Sequence, residues 1–258
     1  MITVQPLPAF TDNYLWLLTR DGDAAVVDPG DAAVVQRHLD AQGLRLRAIL
    51  VTHHHPDHTG GVAALRERWN VPVYGPRAEA AKIPALSEPL DDGDAIDVLG
   101  ERYAVLAVPG HTLGHIAFHD AAARRLFCGD TLFSAGCGRL FEGTPAQMHG
   151  SLRKLASLPE ATTVYCTHEY TLSNLAFATA IEPDNADLQA RVREAESLRA
   201  AGRPTLPSTI ADERRYNPFL RAGVPTVRAA AERQAGAALD DDVAVFAALR
   251  RWKDGFRG

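Results

Sequence analysis

The chain has 258 residues, of which 46% are apolar and 23% charged, and a net charge of −5. That length supplies a full hydrophobic core, in one large domain or in a medium and a small one, without stapling by disulfides. The acidic balance lacks the basic excess of nucleic-acid binders, and no stretch approaches the roughly 18 apolar residues of a membrane span, so neither nucleic acid nor membrane is the expected partner.

The opening M-I-T-V-Q-P-L-P-A-F has no basic segment followed by an apolar one, so no export leader is read there. Short apolar and β-branched runs then alternate with turns and predict strands over 14–18, 24–27, 48–51, 103–108, 115–118, 125–128 and 163–166. Between them, 32–41, 60–69 and 146–156 read as helices, which makes the class α/β or α+β. The three cysteines, Cys128, Cys137 and Cys166, have no C-x-x-C spacing, which argues against a disulfide framework or a zinc ribbon and for a reducing, cytoplasmic setting. Cys128 and Cys166 fall in strand-like runs and read as buried, whereas Cys137 lies in a glycine-rich loop and reads as exposed.

Near residue 170 the strand signal ends and alanine- and arginine-rich helical patterns take over. Leu188, Val192, Ala195 and Leu198 mark one face of a helix with Asp184 as its cap and Gly202 at its end. Another helix is expected over 241–254, with Val245, Phe246 and Leu249 towards the core. The expected division is a metal-binding catalytic domain over 1–167 and a helical domain over 168–258.

The strongest chemical signal is T-H-H-H-P-D-H-T-G-G, residues 52–61, placed directly after a strand. Three imidazoles and a carboxylate so close together repay their desolvation only when something charged is bound, and a metal ion is the natural candidate. Alternate side chains of an extended loop share a face, so His53 and His55 point together and His54 points away. Asp57 and His58 turn into a helix containing Gly60 and Gly61, on a different side, which suits two neighbouring metals. A helix N-cap is the bland alternative for Asp57. Three further strands run into His111, Asp130 and His168, and donors gathered at strand ends are what a site on loops above a rigid scaffold looks like. His38, His119 and His149 read as surface residues, and His115 as a packing residue or one that backs a ligand.

These residues, together with P-G-H-T-L-G-H, C-G-D-T-L-F, G-C-G-R-L-F-E-G-T, T-H-E-Y-T-L-S-N-L, Y-N-P-F-L-R and R-R-W-K-D-G-F, resemble the glyoxalase II family of the metallo-β-lactamase superfamily over essentially the whole length. The resemblance implies an αββα metallo-β-lactamase-type sandwich followed by a small carboxy-terminal helical domain. It implies that His53, His55 and His111 hold one metal, that Asp57, His58 and His168 hold a second, and that Asp130 bridges them. Zinc is the implied metal, with iron or manganese accepted in the family. It also implies that Arg139, Tyr170, Asn174, Arg250 and Lys253 contact glutathione. Arg250 and Lys253, three apart, share a helix face and can converge on one carboxylate, although cations near a helix C-terminus also simply complement the dipole. Two positions depart from the family pattern. Arg139 stands where lysine is often found, and Phe141 replaces a tyrosine, so a hydrogen bond to glutathione at 141 is expected to be lost.

The implied reaction is hydrolysis of S-(2-hydroxyacyl)glutathione, such as S-D-lactoylglutathione, to glutathione and a 2-hydroxy acid, the second step of methylglyoxal detoxification. Two metals roughly 3.5 to 4 Å apart lower the pKa of a shared water towards about 7, with Asp57 as the catalytic residue that orients the hydroxide. A small-molecule glutathione thioester is the expected partner, as substrate, and the expected state is a monomer. The competing reading is a glutathione-persulfide dioxygenase using a single iron, a reaction with little use for Asp57, His58 and His168 as a second metal set.

Overall fold

The computed structural model describes residues 1–257. The chain divides into two compact units, one comprising Met1–Ala107 and Leu113–Gly129, the other Val108–Thr112 and everything from Asp130 onward.

The first unit contains, in chain order, β1 (Thr3–Ala9), β2 (Asn13–Arg20), β3 (Asp23–Val27), α1 (Ala32–Gln42), β4 (Arg45–Leu50), α2 (Pro56–Thr59), α3 (Val62–Trp69), β5 (Val73–Pro76), a 3-10 turn (Arg77–Glu79), β6 (Glu88–Leu90), β7 (Ala95–Val98), β8 (Glu101–Ala107), β9 (Ile116–Asp120) and β10 (Arg125–Gly129). One sheet has the order β1-β2-β3-β4-β5-β6. Its first three strands are antiparallel, and β3 through β6 are parallel. Parallel strands need crossovers, and α1 supplies the first, capped by Asp31 and ended by Gly43 in a left-handed conformation. Continuous burial of 13–18 and 24–27 reflects strands covered on both faces. Leu15, Leu17, Val26, Leu39, Ile49, Val62 and Leu65 form the core here, each worth roughly 1.5–3 kcal/mol when fully buried. A second set, in the order β10-β9-β8-β7, is wholly antiparallel.

The register brings strand ends together. Val27 pairs with Leu50 across β3 and β4, and the Asp28 N–H donates to Leu50 O at 2.8 Å, so Asp28 and Thr52 emerge side by side. The Ile116 N–H donates to Thr52 O at 2.9 Å, which ties the start of β9 to the same loop. Ligand loops outside the carboxyl ends of parallel strands follow the usual rule for such sheets.

The second unit holds β11 (Leu132–Phe133), β12 (Gly136–Cys137), α4 (Pro145–Ala156), β13 (Thr163–Cys166), α5 (Thr171–Ile181), α6 (Ala186–Ala200), β14 (Ser208–Thr209), α7 (Ile210–Tyr216), α8 (Pro225–Ala235) and α9 (Asp242–Gly255). Thr144 and Gln147 form a reciprocal capping box on α4, with Pro145 in its first turn. Leu175, Ala178, Leu188, Ala195 and Tyr216 pack with Ala135. The β11–β12 hairpin is anchored from α7: Glu213 Oε2 accepts the Ala135 N–H at 2.8 Å, and Asn217 Nδ2 donates to Phe133 O at 3.1 Å and Gly136 O at 2.9 Å. Glu213 is fully enclosed, and burial pushes its carboxyl above the ordinary range.

Several expectations are corrected. The helix expected over 60–69 begins only at Val62, as α3, and the short α2 before it is separate, because Gly60 and Gly61 stand at their junction. Asn185, not Asp184, caps α6, its side chain accepting from Leu188 N. Only Leu188 and Ala195 of the expected face are fully buried. A short strand, β14, does occur after residue 170, paired antiparallel with β13. No helix among the described residues is long and apolar enough to cross a membrane.

Candidate metal centre

In the first unit the donors follow β4. His55 is extended at the N-cap of α2, and Pro56 occupies its first turn, so the chain turns at once into helix. Asp57 lies inside that first turn, which excludes the cap reading for it. His53 and His58 are closed to solvent, with ring centroids 4.0 Å apart. His53 Nε2 lies 3.0 Å from His55 Nδ1, and His58 Nε2 lies 3.5 Å from Asp57 Oδ2. Within this unit the donor atoms of His53 and His55, of His53 and His58, and of Asp57 and His58 are each within 4.8 Å of one another.

The surrounding side chains hold these rings. His58 Nδ1 lies 3.0 Å from Asp28 Oδ2, and the same carboxylate accepts the Thr52 N–H at 2.7 Å and its hydroxyl at 2.8 Å. Asn13 Nδ2 donates to Asp57 Oδ2 at 3.0 Å. His115 stacks on His53 at 4.6 Å and 19°, so it packs behind a candidate donor, and it is fully buried. Gly129, at φ 48, admits that approach: a Cβ there would lie 2.8 Å from His115 Nε2. His54 points elsewhere, to Glu79 Oε2 at 2.9 Å.

In the second unit His111 Nε2 and His168 Nε2 each lie 3.4 Å from Asp130 Oδ2, so one carboxylate oxygen serves two imidazoles. All three side chains are buried. His111 Nδ1 donates to Arg139 O at 2.9 Å, which leaves its Nε2 lone pair towards Asp130. Tyr170 is stacked on His168, centroids 4.7 Å apart and planes 2° apart.

The residues assigned to glutathione are placed as follows. Tyr170 is 38% exposed. Arg139 is exposed, its Nε 3.7 Å from Asp254 Oδ1. Asn174 is buried and donates from Nδ2 to Ser134 O at 3.0 Å. Arg250 is buried, donating from Nη1 to Cys137 O and from Nη2 to Asp254 Oδ1, both at 2.9 Å, with its guanidinium over the Phe219 ring. Lys253 Nζ donates to Ser173 O at 2.8 Å. Burial, then the neighbouring Arg250 and Arg139, lower the Lys253 ammonium to about 8. Arg250 and Lys253 therefore share α9 but are directed to different acceptors. Phe141 is 63% exposed and sets its ring edge-on to His111 at 5.2 Å.

Two surface expectations are wrong. Cys137 is buried under Arg250, and burial pushes its thiol up to about 11. His119 is 7% exposed, within β9 opposite Ala104 and Leu126. His149 is half-buried, its ring 5.9 Å from Phe246. Sequence reasoning missed Asp28 and Glu79. The signal for Asp28 was present in V-V-D-P-G, one more strand ending on an acidic residue.

The metallo-β-lactamase superfamily model matches residues 10–168, and the model for the hydroxyacylglutathione hydrolase C-terminus matches 169–256. A hydroxyacylglutathione hydrolase of Alkalilimnicola ehrlichii is 59% identical, covering 98% of this chain and 99% of its own. That of Ectopseudomonas mendocina is 56% identical over 99% and 100%. The chain belongs to the hydroxyacylglutathione hydrolase family. This family of thioester hydrolases lies within the metallo-β-lactamase superfamily and the fold is of that type, α/β with a carboxy-terminal helical region. Among solved structures, TTHA1623 in a di-iron-bound form is 27% identical, with TM-score 0.63, covering 84% of this chain and 100% of its own.

A metal cofactor fits what this member of the family presents. Its donors are imidazoles and carboxylates, the ligand types of zinc, iron and manganese sites. His111 commits its Nδ1 to Arg139 O, the arrangement that frees Nε2 for a metal, and His58 Nδ1 lies against the Asp28 carboxylate.

Proposed function

We propose that the chain hydrolyses S-(2-hydroxyacyl)glutathione, with S-D-lactoylglutathione as substrate, to glutathione and D-lactate, using two zinc ions. The observation that carries this is the match of 169–256 to the hydroxyacylglutathione hydrolase C-terminus, because the preceding fold hosts many chemistries and cannot by itself select one. In this reading His53, His55 and His111 hold one ion, Asp57, His58 and His168 the other, and Asp130 is shared. The donor pairs within each unit support it, as does the di-iron form of TTHA1623.

When bound, the ions supply Lewis acidity and lower the pKa of water to near neutrality. Asp57, held by Asn13, orients the attacking water and receives its proton. Arg139, Tyr170 and Lys253 bind and orient the glutathione portion, with Asn174 and Arg250 shaping the backbone beside them. A thiol of pKa about 8.5 leaves without a strong general acid, so no serine, cysteine or second acid is required. The functional division follows 1–167 and 168–258, in step with the ranges of the two family models. The enzyme works as a monomer in the cytoplasm, a reducing setting that suits three buried cysteines outside any disulfide.

The test is steady-state hydrolysis of S-D-lactoylglutathione by purified protein, with metal content measured on the same sample and His58→Ala beside it. The expected result is rapid turnover at close to two metals per chain, largely lost in the variant. A fully metallated sample without turnover would sink the function, and oxygen uptake with glutathione persulfide would then be measured.

A further inference from the structure

Glu79 closes the 3-10 turn after β5 and is only 4% exposed, an unusual place for a carboxylate. Its Oε2 accepts the His54 N–H at 2.7 Å and meets the His54 ring Nδ1 at 2.9 Å, while its Oε1 accepts the Gly114 N–H at 3.1 Å. His54 stands between His53 and His55. Gly114 precedes His115, whose ring stacks on His53. One buried carboxylate therefore fixes the backbone of the donor loop and the backbone that sets the ring behind it. A second observation agrees: a Cβ at Gly114 would run into Glu79 Cγ and lie 2.9 Å from Oε1. The glycine is what lets the carboxylate reach that N–H.

We propose that Glu79 is a positioning residue of the metal centre, clamping the His53–His55 loop to the Gly114–His115 segment so that the imidazoles are held in place before a metal arrives. This rests on the metal-centre reading above. Charge-assisted bonds to backbone N–H groups are short and directional, and losing them frees the loop while leaving the donors themselves intact. Partners of this kind cost 10–100-fold in metal affinity or activity when removed, about the scale expected here.

The experiment is Co2+ titration of the metal-free protein, read by the visible d–d bands, for wild type, Glu79→Ala, Glu79→Asp, Gly114→Ala and the exposed control Glu67→Gln. Glu79→Ala is expected to bind Co2+ about 10–100-fold more weakly with altered bands, to lose kcat at unchanged KM, and to be partly rescued in Glu79→Asp. Gly114→Ala is expected to give the same spectral change, and the double variant with Glu79→Ala to be no worse than either alone. Glu67→Gln is expected to match wild type. Folded Glu79→Ala with wild-type affinity and bands overturns the proposal, and if that variant fails to fold, Gly114→Ala carries the same readout. Wild type that binds Co2+ yet does not hydrolyse S-D-lactoylglutathione sinks the proposed function but leaves the clamp standing; wild type that takes up no Co2+ overturns both.

Discussion

The carboxylate of Asp28 meets Nδ1 of His58 at 3.0 Å with both side chains closed to solvent. Asp28 also has φ 52, a conformation asparagine tolerates about as well as aspartate. Asp28→Asn therefore keeps the backbone and removes the charge that faces His58 Nδ1. Metal affinity or kcat is expected to fall about 10–100-fold, with KM little changed, measured by metal titration and steady-state kinetics.

Phe141 offers a ring but no donor beside His111. Phe141→Tyr adds a hydroxyl at an exposed position without refilling any core. A net hydrogen bond of about 1 kcal/mol corresponds to roughly a fivefold lower KM for the glutathione thioester, with kcat unchanged. An unaltered KM would show that position 141 does not reach the glutathione portion.

Lys253 has its pKa lowered to about 8, so its charge is lost as pH rises through that value. KM for the anionic substrate is expected to rise between pH 7 and 9.5 in wild type, and Lys253→Met to show the raised KM already at pH 7. The stability sign runs the other way. The folded state binds fewer protons than the unfolded between about pH 8 and the ordinary lysine pKa of about 10.4, so the cost of burying this ammonium is present below that window and relieved as pH rises through it.

Arg250 is bonded to Cys137 O and Asp254. Arg250→Ala leaves a buried carbonyl without its cation and is expected to cost about 2 kcal/mol, lowering Tm by about 4–8 °C for a chain of this size. Thermal unfolding checks this. Alkylation of Cys137, slow in wild type because its thiol stays protonated with a pKa of about 11, is expected to quicken as the cover is removed.

The central strands and the donor residues were readable because each carries its own signal: a run of buried apolar residues, or a His or Asp where such a run stops. β1 was missed because Pro6 and Pro8 interrupt its pattern, and the structure places it at the end of the strand order, where missing donors are tolerated. Glu79 was invisible because its partners His54 and Gly114 are 25 and 35 residues away. Cys137 was misjudged for the same reason: its cover, Arg250, comes from 113 residues further along the chain. Local pattern reports which groups are present, whereas enclosure depends on what distant segments bring.

The anchoring of Ala135, Phe133 and Gly136 by Glu213 and Asn217 spans 78 to 84 residues. During synthesis, the segment that follows Asp130 therefore waits for some eighty more residues before its anchor exists. A nascent chain stalled near residue 200 already contains all seven donors but not the carboxylate and amide that hold the hairpin next to one of them. The order of translation thus places α7 after every donor, making its arrival, rather than the last donor's, the step that completes this part of the molecule.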